Sequence, residues 1–193
     1  MAHGKLVLLI GPSGVGKSAI MKKLRTKHPE FHYPRSATTR AKRKGEGTEN
    51  YHFVSEEKFD ELLSNGKLLE WALVHGIGRY GTMVDEIIPP IDEGKTVVRE
   101  IDVQGFESIR NDARFSGSGA PYRLHSIFIE PESTSQLIKH IQKRSPMSED
   151  ELKKRLHSME HEMQYAEKCT HRIVNREGKL MVTYKTVEEM IGE

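Results

Sequence analysis

The stretch Gly11-Pro12-Ser13-Gly14-Val15-Gly16-Lys17-Ser18 carries glycines, a lysine and a hydroxyl at the spacing G-x-x-x-x-G-K-[S/T]. That spacing is a phosphate-binding loop of the kind that holds ATP or GTP. Its glycines let peptide N–H groups turn inward around phosphate oxygens. The start of a following helix adds partial positive charge. Lys17 reaches the β- and γ-phosphates of the donor, and the Ser18 hydroxyl holds Mg²⁺. The loop is silent on which group accepts the phosphate.

A second cluster is Ser36-Ala37-Thr38-Thr39-Arg40-Ala41-Lys42-Arg43-Lys44-Gly45-Glu46, followed by Tyr51. Arginine grips a pair of phosphate oxygens with its planar fork. Arg40 and Arg43 beside hydroxyl residues therefore suit a second phosphate site, which a nucleotide kinase needs for its acceptor. A solvated basic turn is the other reading of the same residues.

The elements that must carry these residues alternate in pattern. Leu6-Val7-Leu8-Leu9-Ile10 is an apolar run of buried-strand length, and Ala19-Ile20-Met21-Lys22-Lys23-Leu24 reads as helix. Further strands are expected at 96–101, 124–129 and 171–174. Strands alternating with helices predict an α/β fold with a mainly parallel sheet. Ligands bind at the carboxyl ends of such strands, which gathers chemistry at 11–18, 100–105, 130–132 and 175–177. Between Ser55 and Gly66 one helix is expected, with Phe59, Leu62 and Leu63 as its apolar face. Residues 133–168 read as charged helix, with a capping box at Ser148-Glu149-Asp150-Glu151 and a core-packing stripe of Leu152, Leu156, Met159 and Met163. Asn111–Tyr122 reads as a mobile loop, and a last helix is expected from near Thr186, with Glu189 at capping-box spacing.

Composition bounds the class. The 193 residues suit about one domain, with 36% hydrophobic and 30% charged residues and a net charge of +2. Neither that charge nor any aromatic-interleaved basic patch argues for nucleic acid. The single cysteine, Cys169, excludes an internal disulfide and fits a reducing compartment. No signal-peptide core or membrane-spanning stretch is present, so the expected location is cytoplasmic, without membrane attachment. Nothing in the sequence chooses between a monomer and a homo-oligomer.

Further along come Leu69-Glu70-Trp71-Ala72, Arg79-Tyr80-Gly81-Thr82 and Glu100-Ile101-Asp102-Val103-Gln104-Gly105. Together with the phosphate loop, the Ser36–Glu46 cluster and Tyr51-His52-Phe53, these motifs resemble the guanylate kinase family along essentially the whole chain. The resemblance implies a P-loop NTPase-type three-layer α/β fold. Its core is 4–35, 89–132 and 169–193, its GMP-binding insertion 36–88 and its helical lid 133–168, all in one domain. It implies transfer of the γ-phosphoryl group of ATP to GMP or dGMP with Mg²⁺. By the same resemblance Ser36, Glu70, Thr82 and Asp102 contact guanine, and Arg40, Arg43, Tyr51 and Tyr80 hold the GMP phosphate. Guanine offers N1–H and a 2-amine that carboxylates accept, whereas adenine offers a lone pair there. A site built on those bonds rejects the wrong base strongly.

In the lid the resemblance assigns catalytic roles to Arg144 and Arg155, with Lys17, and it makes Asn175 an adenine-side contact. No general base is needed, because the acceptor phosphate is already ionised; positioning and charge neutralisation carry the rate. Four departures stand out. His140 replaces the first lid arginine, and Glu100 replaces the aspartate expected to reach Mg²⁺ beside Ser18. The turn His75-Gly76-Ile77-Gly78 is one residue longer than usual, and Arg176 follows Asn175 in place of aspartate. Two other classes fit parts of the chain: a guanylate-kinase-like module that binds phosphopeptides, and a kinase acting on a phosphorylated sugar. Gly16-Lys17-Ser18 favours the enzyme over the first; Glu70 and Asp102 favour guanine over the second.

Overall fold

A computed structural model describes residues 4–74, 78–144 and 148–193, except the side chains of Val74, Lys143 and Arg144. The expectations for the turn at His75-Gly76-Ile77, for Pro146 and for the Arg144 side chain therefore lie outside the described residues.

Strand β1 (Lys5–Ile10) is buried along its whole length, as a continuous apolar run in a covered sheet must be. It leads through the phosphate loop into α1 (Lys17–Lys27), which buries Ile20, Met21 and Leu24. Strands β6 (Thr96–Glu100), β7 (Arg123–Pro131) and β8 (His171–Asn175) complete a four-stranded sheet in the order β6-β1-β7-β8. β7 and β8 run parallel from Ile127↔His171 to Pro131↔Asn175. This mainly parallel sheet with helices is the α/β fold the alternating pattern predicts. All four strands were expected; β1, β7 and β8 each run one or two residues beyond the expected limits, whereas β6 stops one residue short.

The chain divides into two compact units, whose boundaries cut β1, β6 and β7. One unit holds Val7–Pro29, Arg99–Val103 and His125–Glu193. Its core comprises Val7 to Ile10, Ile127 to Ile129, Leu24, Val187 and Ile191. It includes α5 (Thr134–Arg144), α6 (Glu149–Met163) and α7 (Leu180–Gly192). The Ser148 capping box is formed, with Ser148 Oγ accepting from Glu151 N and Glu151 accepting from Ser148 N. Of the expected packing stripe on α6 only Met159 is buried; Leu152, Leu156 and Met163 are half-buried. The last helix begins at Leu180, six residues before Thr186. Thr186 lies mid-helix and donates to the Val182 carbonyl at 3.3 Å, so its hydroxyl is spent inside the helix rather than at a cap.

The other unit holds Met1–Leu6, Glu30–Val98 and Gln104–Leu124. It contains a second four-stranded sheet that the polar, arginine-rich sequence did not announce. β2 (Ser36–Thr38), β3 (Tyr51–Phe53), β4 (Leu68–Val74) and β5 (Gly78–Met83) stand in the order β3-β2-β5-β4. β2 is parallel to β3 and antiparallel to β5, and β4 is antiparallel to β5. Helix α2 (Glu56–Ser64) is capped by Ser55 and buries Phe59. Leu63, expected on its apolar face, is 39% exposed. A short helix α3 (Ile88–Asp92) and α4 (Val103–Asn111) follow β5 and β6. Within the Asn111–Tyr122 segment Phe115 is buried and Arg114 pairs with Asp112 at 2.6 Å.

Candidate active site

The phosphate loop is held from behind. A Cβ on Gly11 would meet the Ile129 carbonyl at 2.3 Å, and Gly11 has φ 142°, so only glycine lets the loop leave β1 so close to β7. Gly16 caps α1 in the left-handed region, with φ 108°. The N-terminus of α1 favours negative charge beside it. Lys17 Nζ donates to the Gly11 carbonyl at 2.6 Å and to that of Pro12 at 3.1 Å, arching over the loop it belongs to. Ser18 Oγ donates to Glu100 Oε1 at 3.1 Å. The extra methylene of Glu100, relative to aspartate, thus still delivers its carboxylate to the end of β6 beside the loop hydroxyl.

Asn175 ends β8 and is 5% exposed. Its Nδ2 donates to the Val15 carbonyl at 2.8 Å. Gln136, also buried, donates through Nε2 to the Asn175 carbonyl at 3.0 Å and accepts from Glu132 N at 2.7 Å. A cleft of about 530 Å³ opens here, lined by Gly16, Ala19, Gln136, His140, Asn175 and Arg176, among others. His140 is half-buried, with Nδ1 3.2 Å from the Gly14 carbonyl. A carbonyl only accepts, so Nδ1 is the donor. The residue in the arginine position thus rests on the phosphate loop itself. Arg155 is exposed on α6 and Arg176 is exposed at the cleft rim.

Sequence reading missed Glu162. Burial pushes its carboxyl above the usual range; a hydrogen bond from Ser158 and the charge of Lys17 pull it down, and Asp102 pushes it up. Lys17 and Asp102 each lie within electrostatic reach of Glu162. Gln136 and Thr183 were also missed. Buried polar partners of a loop carry no motif and emerge only from packing.

In the other unit, strand register assembles the second constellation. Ser36 pairs with Tyr51 on one side and with Thr82 on the other, and Thr82 pairs with Glu70. Tyr51, Ser36, Thr82 and Glu70 therefore form one row across four strands. Side chains alternate faces along a strand, so Tyr80 shares the face of Thr82. Thr82 is fully buried and donates through Oγ1 to Glu70 Oε1. Tyr51 and Tyr80 meet edge to face at 5.7 Å between ring centroids.

Arg40 is 7% exposed. Its fork is bidentate on Glu46, at 2.9 and 2.7 Å, and its Nε donates to Tyr80 Oη at 2.9 Å. Its guanidinium carbon lies 5.3 Å from the Tyr51 ring centroid. The Arg40 fork and the Arg43 backbone N–H hold the Glu46 carboxyl down at about 2, and Glu46 in turn raises the Arg40 guanidinium. The Arg40 charge is thus offset by Glu46, while Arg43 is exposed. Because Tyr80 Oη accepts from Arg40, its own proton is left to donate elsewhere. Glu46 stood in the sequence cluster without a role, and its glutamate-after-glycine spacing was the available signal. Arg79 turns to the opposite side from Tyr80. It bonds Asp60 at 2.6 Å and Glu56 at 2.8 Å, and it lies over the Phe59 ring at 4.6 Å. That makes it a structural residue of β5 that holds α2. Among the described residues no helix is long and apolar enough to cross a membrane.

Ser36, Arg40, Arg43, Tyr51, Glu70, Tyr80 and Thr82 thus gather in one unit. Lys17, Ser18, Glu100, Asp102, Arg155 and Asn175 belong to the other. Comparison with known proteins bears on the family. A family model described as Guanylate kinase matches residues 3–193. The chain is 43% identical over 175 residues to the guanylate kinase of Trichormus variabilis (strain ATCC 29413 / PCC 7937), covering 90% of this chain and 83% of that protein. It is 33% identical over 176 residues to that of Tropheryma whipplei (strain Twist), covering 91% and 87%. The crystal structure of guanylate kinase from Anaplasma phagocytophilum superposes with a TM-score of 0.69 at 26% identity, over 99% of this chain and 86% of that one. A phosphate loop, a sheet row of hydrogen-bonding side chains and a match from end to end leave one assignment: the chain belongs to the guanylate kinase family.

Proposed function

We propose that this enzyme transfers the γ-phosphoryl group of ATP to GMP or dGMP. An oxygen of the acceptor 5′-phosphate forms the new bond to phosphorus, the bond to the β,γ-bridging oxygen breaks, and ADP leaves with GDP or dGDP. The observation that carries the acceptor assignment is the row Ser36–Thr82–Glu70. Its carboxylate is oriented by a buried hydroxyl at the edge of a face that also bears Tyr51, Tyr80 and Arg40.

In this reading Gly11 to Ser18 cradle the donor phosphates, and Lys17 neutralises charge on the β/γ oxygens. Asn175 serves the donor side, and Arg144 and Arg155 bring lid charge to the transferring group. Glu70 and Asp102 accept from guanine N1–H and the 2-amine, with Ser36 and Thr82 completing the base contacts. Arg43 and the tyrosines Tyr51 and Tyr80 take the acceptor phosphate, together with Arg40. Ser18 Oγ and the Glu100 carboxylate form an oxygen-only pair, suited to a hard cation that keeps most of its waters, such as Mg²⁺. When bound, Mg²⁺ offsets phosphate charge. The domain limits 36–88 for the acceptor insertion and 133–168 for the lid, and a cytoplasmic location without nucleic-acid or membrane partners, belong to the same reading.

The test presents GMP, dGMP, AMP, UMP and CMP with Mg-ATP and measures ADP release. Turnover with GMP and dGMP alone is expected. Comparable turnover of AMP would remove the guanine assignment, and no turnover with any acceptor would identify a binding module instead.

A further inference from the structure

Thr183 is a polar residue on the buried face of α7, 2% exposed beside Tyr184, Val187 and Ile191. A threonine hydroxyl inside a helix ordinarily bonds back to the carbonyl four residues earlier. Here that carbonyl, of Lys179, is 3.5 Å away, while Asn175 Oδ1 is 2.8 Å away. The hydroxyl proton is committed to Asn175. The amide orientation follows from the partners: the Val15 carbonyl only accepts, so Nδ2 faces it and Oδ1 faces Thr183.

We propose that Thr183 and the Asn175 amide form a clamp that sets the shape of the phosphate loop, with Thr183 a positioning residue for the donor nucleotide. The inference rests on reading Gly11–Ser18 as the ATP site. Its physical content lies in one peptide unit. In a trans peptide the carbonyl of Val15 and the N–H of Gly16 point in opposite directions. Drawing the carbonyl toward Asn175 turns the Gly16 N–H to the other side of the loop, where an anion is held. The approach is close enough to dictate the neighbouring residue: a Cβ on Gly16 would meet Asn175 Nδ2 at 2.8 Å. Gly16 and Asn175 are thus a matched pair, with Thr183 fixing the second member. Gln136 secures the Asn175 backbone from α5, so the clamp is anchored by two helices.

The experiment compares wild type with T183V, which keeps the shape and loses the hydroxyl, and T183S, which keeps the hydroxyl. T183A provides the same loss of hydroxyl should T183V not fold. Mg-ATP binding is measured calorimetrically without acceptor, alongside KM for ATP and for GMP, kcat and thermal melting. In T183V the Kd and KM for ATP are expected to rise roughly tenfold, the size of one lost buried hydrogen bond, with KM for GMP unchanged. T183S is expected within about twofold of wild type, since its donor remains. Lower melting with unchanged ATP affinity in T183V would show that the hydroxyl only packs the helix, and would overturn the clamp. Wild type that binds ATP but does not phosphorylate GMP would defeat the proposed function alone, because the clamp is judged on ATP binding. Wild type that does not bind ATP would overturn both.

Discussion

Between Gly11 and Ser18 the groups aimed at a phosphate are peptide N–H groups from consecutive residues, plus one lysine and one hydroxyl. On the face of the second sheet, Tyr51, Ser36, Thr82 and Glu70 come from four strands and meet only because those strands pair in one register. The loop is built by backbone conformation, so most of its specification is local: glycines where φ is positive, a strand before and a helix after, with Asn175 as a distant clamp. The sheet row is built by side chains, so its specification is distributed. A one-residue slip of β5 against β2 would carry Thr82 and Tyr80 to the other face. In the proposed function the loop holds a polyphosphate, since peptide N–H groups read charge, and the row reads a base, since its donors and acceptors have fixed places.

That contrast is open to attack by substitution. The largest effect is expected at Lys17. Lys17→Ala should lower kcat at least about a hundredfold, as loss of a preorganised positive charge at the transferring group does. Steady-state assay with Mg-ATP and GMP reads it, and retained thermal melting shows that the fold survived. Glu70→Gln comes next. Glutamine still accepts from Thr82, so the row stands, but one acceptor for guanine becomes a donor. kcat/KM for GMP should fall about 10- to 100-fold, the value of hydrogen bonds to a charged group, while ATP affinity stays constant. A loss of ATP affinity in this variant would break the division between the two regions.

The two arginines divide the acceptor face itself. Arg43→Ala removes an exposed fork and should raise KM for GMP roughly tenfold without changing the melting temperature. Arg40→Ala removes the guanidinium that Glu46 and Tyr80 bond and should lower the melting temperature as well. Equal melting temperatures for the two variants would contradict the structural role given to Arg40. A smaller, opposite effect is expected at the loop's neighbour His140. His140→Arg restores a permanent charge in the lid and should raise kcat a few-fold; an unchanged or lower rate would show that a histidine on Gly14 suffices.

A pH-dependent effect belongs to the Arg40–Glu46 pair. Glu46 is held down at about 2 in the folded chain against an ordinary 4.5, so its contribution to stability is complete above 4.5. It is lost as pH falls from there toward 2. Urea midpoints measured from pH 7 to pH 2.5 should show an acid-side decline that shrinks in Glu46→Gln. An identical decline in the variant would place the acid sensitivity elsewhere.

Much of the first sheet was legible because burial on both faces demands continuous apolar runs, and Val7 to Ile10 and Ile127 to Ile129 are such runs. The second sheet was not, because two of its strands are short and its strands carry polar groups. Ser36–Thr38 and Tyr51–Phe53 have three residues each, too few for a period to declare itself. Helix α7 was placed six residues late because Thr186 and Glu189 imitate a cap, while the true start at Leu180 has no side-chain cap. The α6 stripe was read as core from spacing alone, and spacing does not say what lies opposite it.

The sequence by itself determined the donor chemistry, since a phosphate loop is written in consecutive residues whose conformations are local. Resemblance along the chain then named the acceptor residues. Only the tertiary structure decided how they act together. It aligned Ser36, Thr82 and Glu70 in one row, spent the Arg40 fork on Glu46, rested His140 on Gly14, and turned Asn175 toward Val15 with Thr183 behind it. The reason is physical: a buried donor or acceptor must find its partner wherever packing places one, and that place is far from it in sequence.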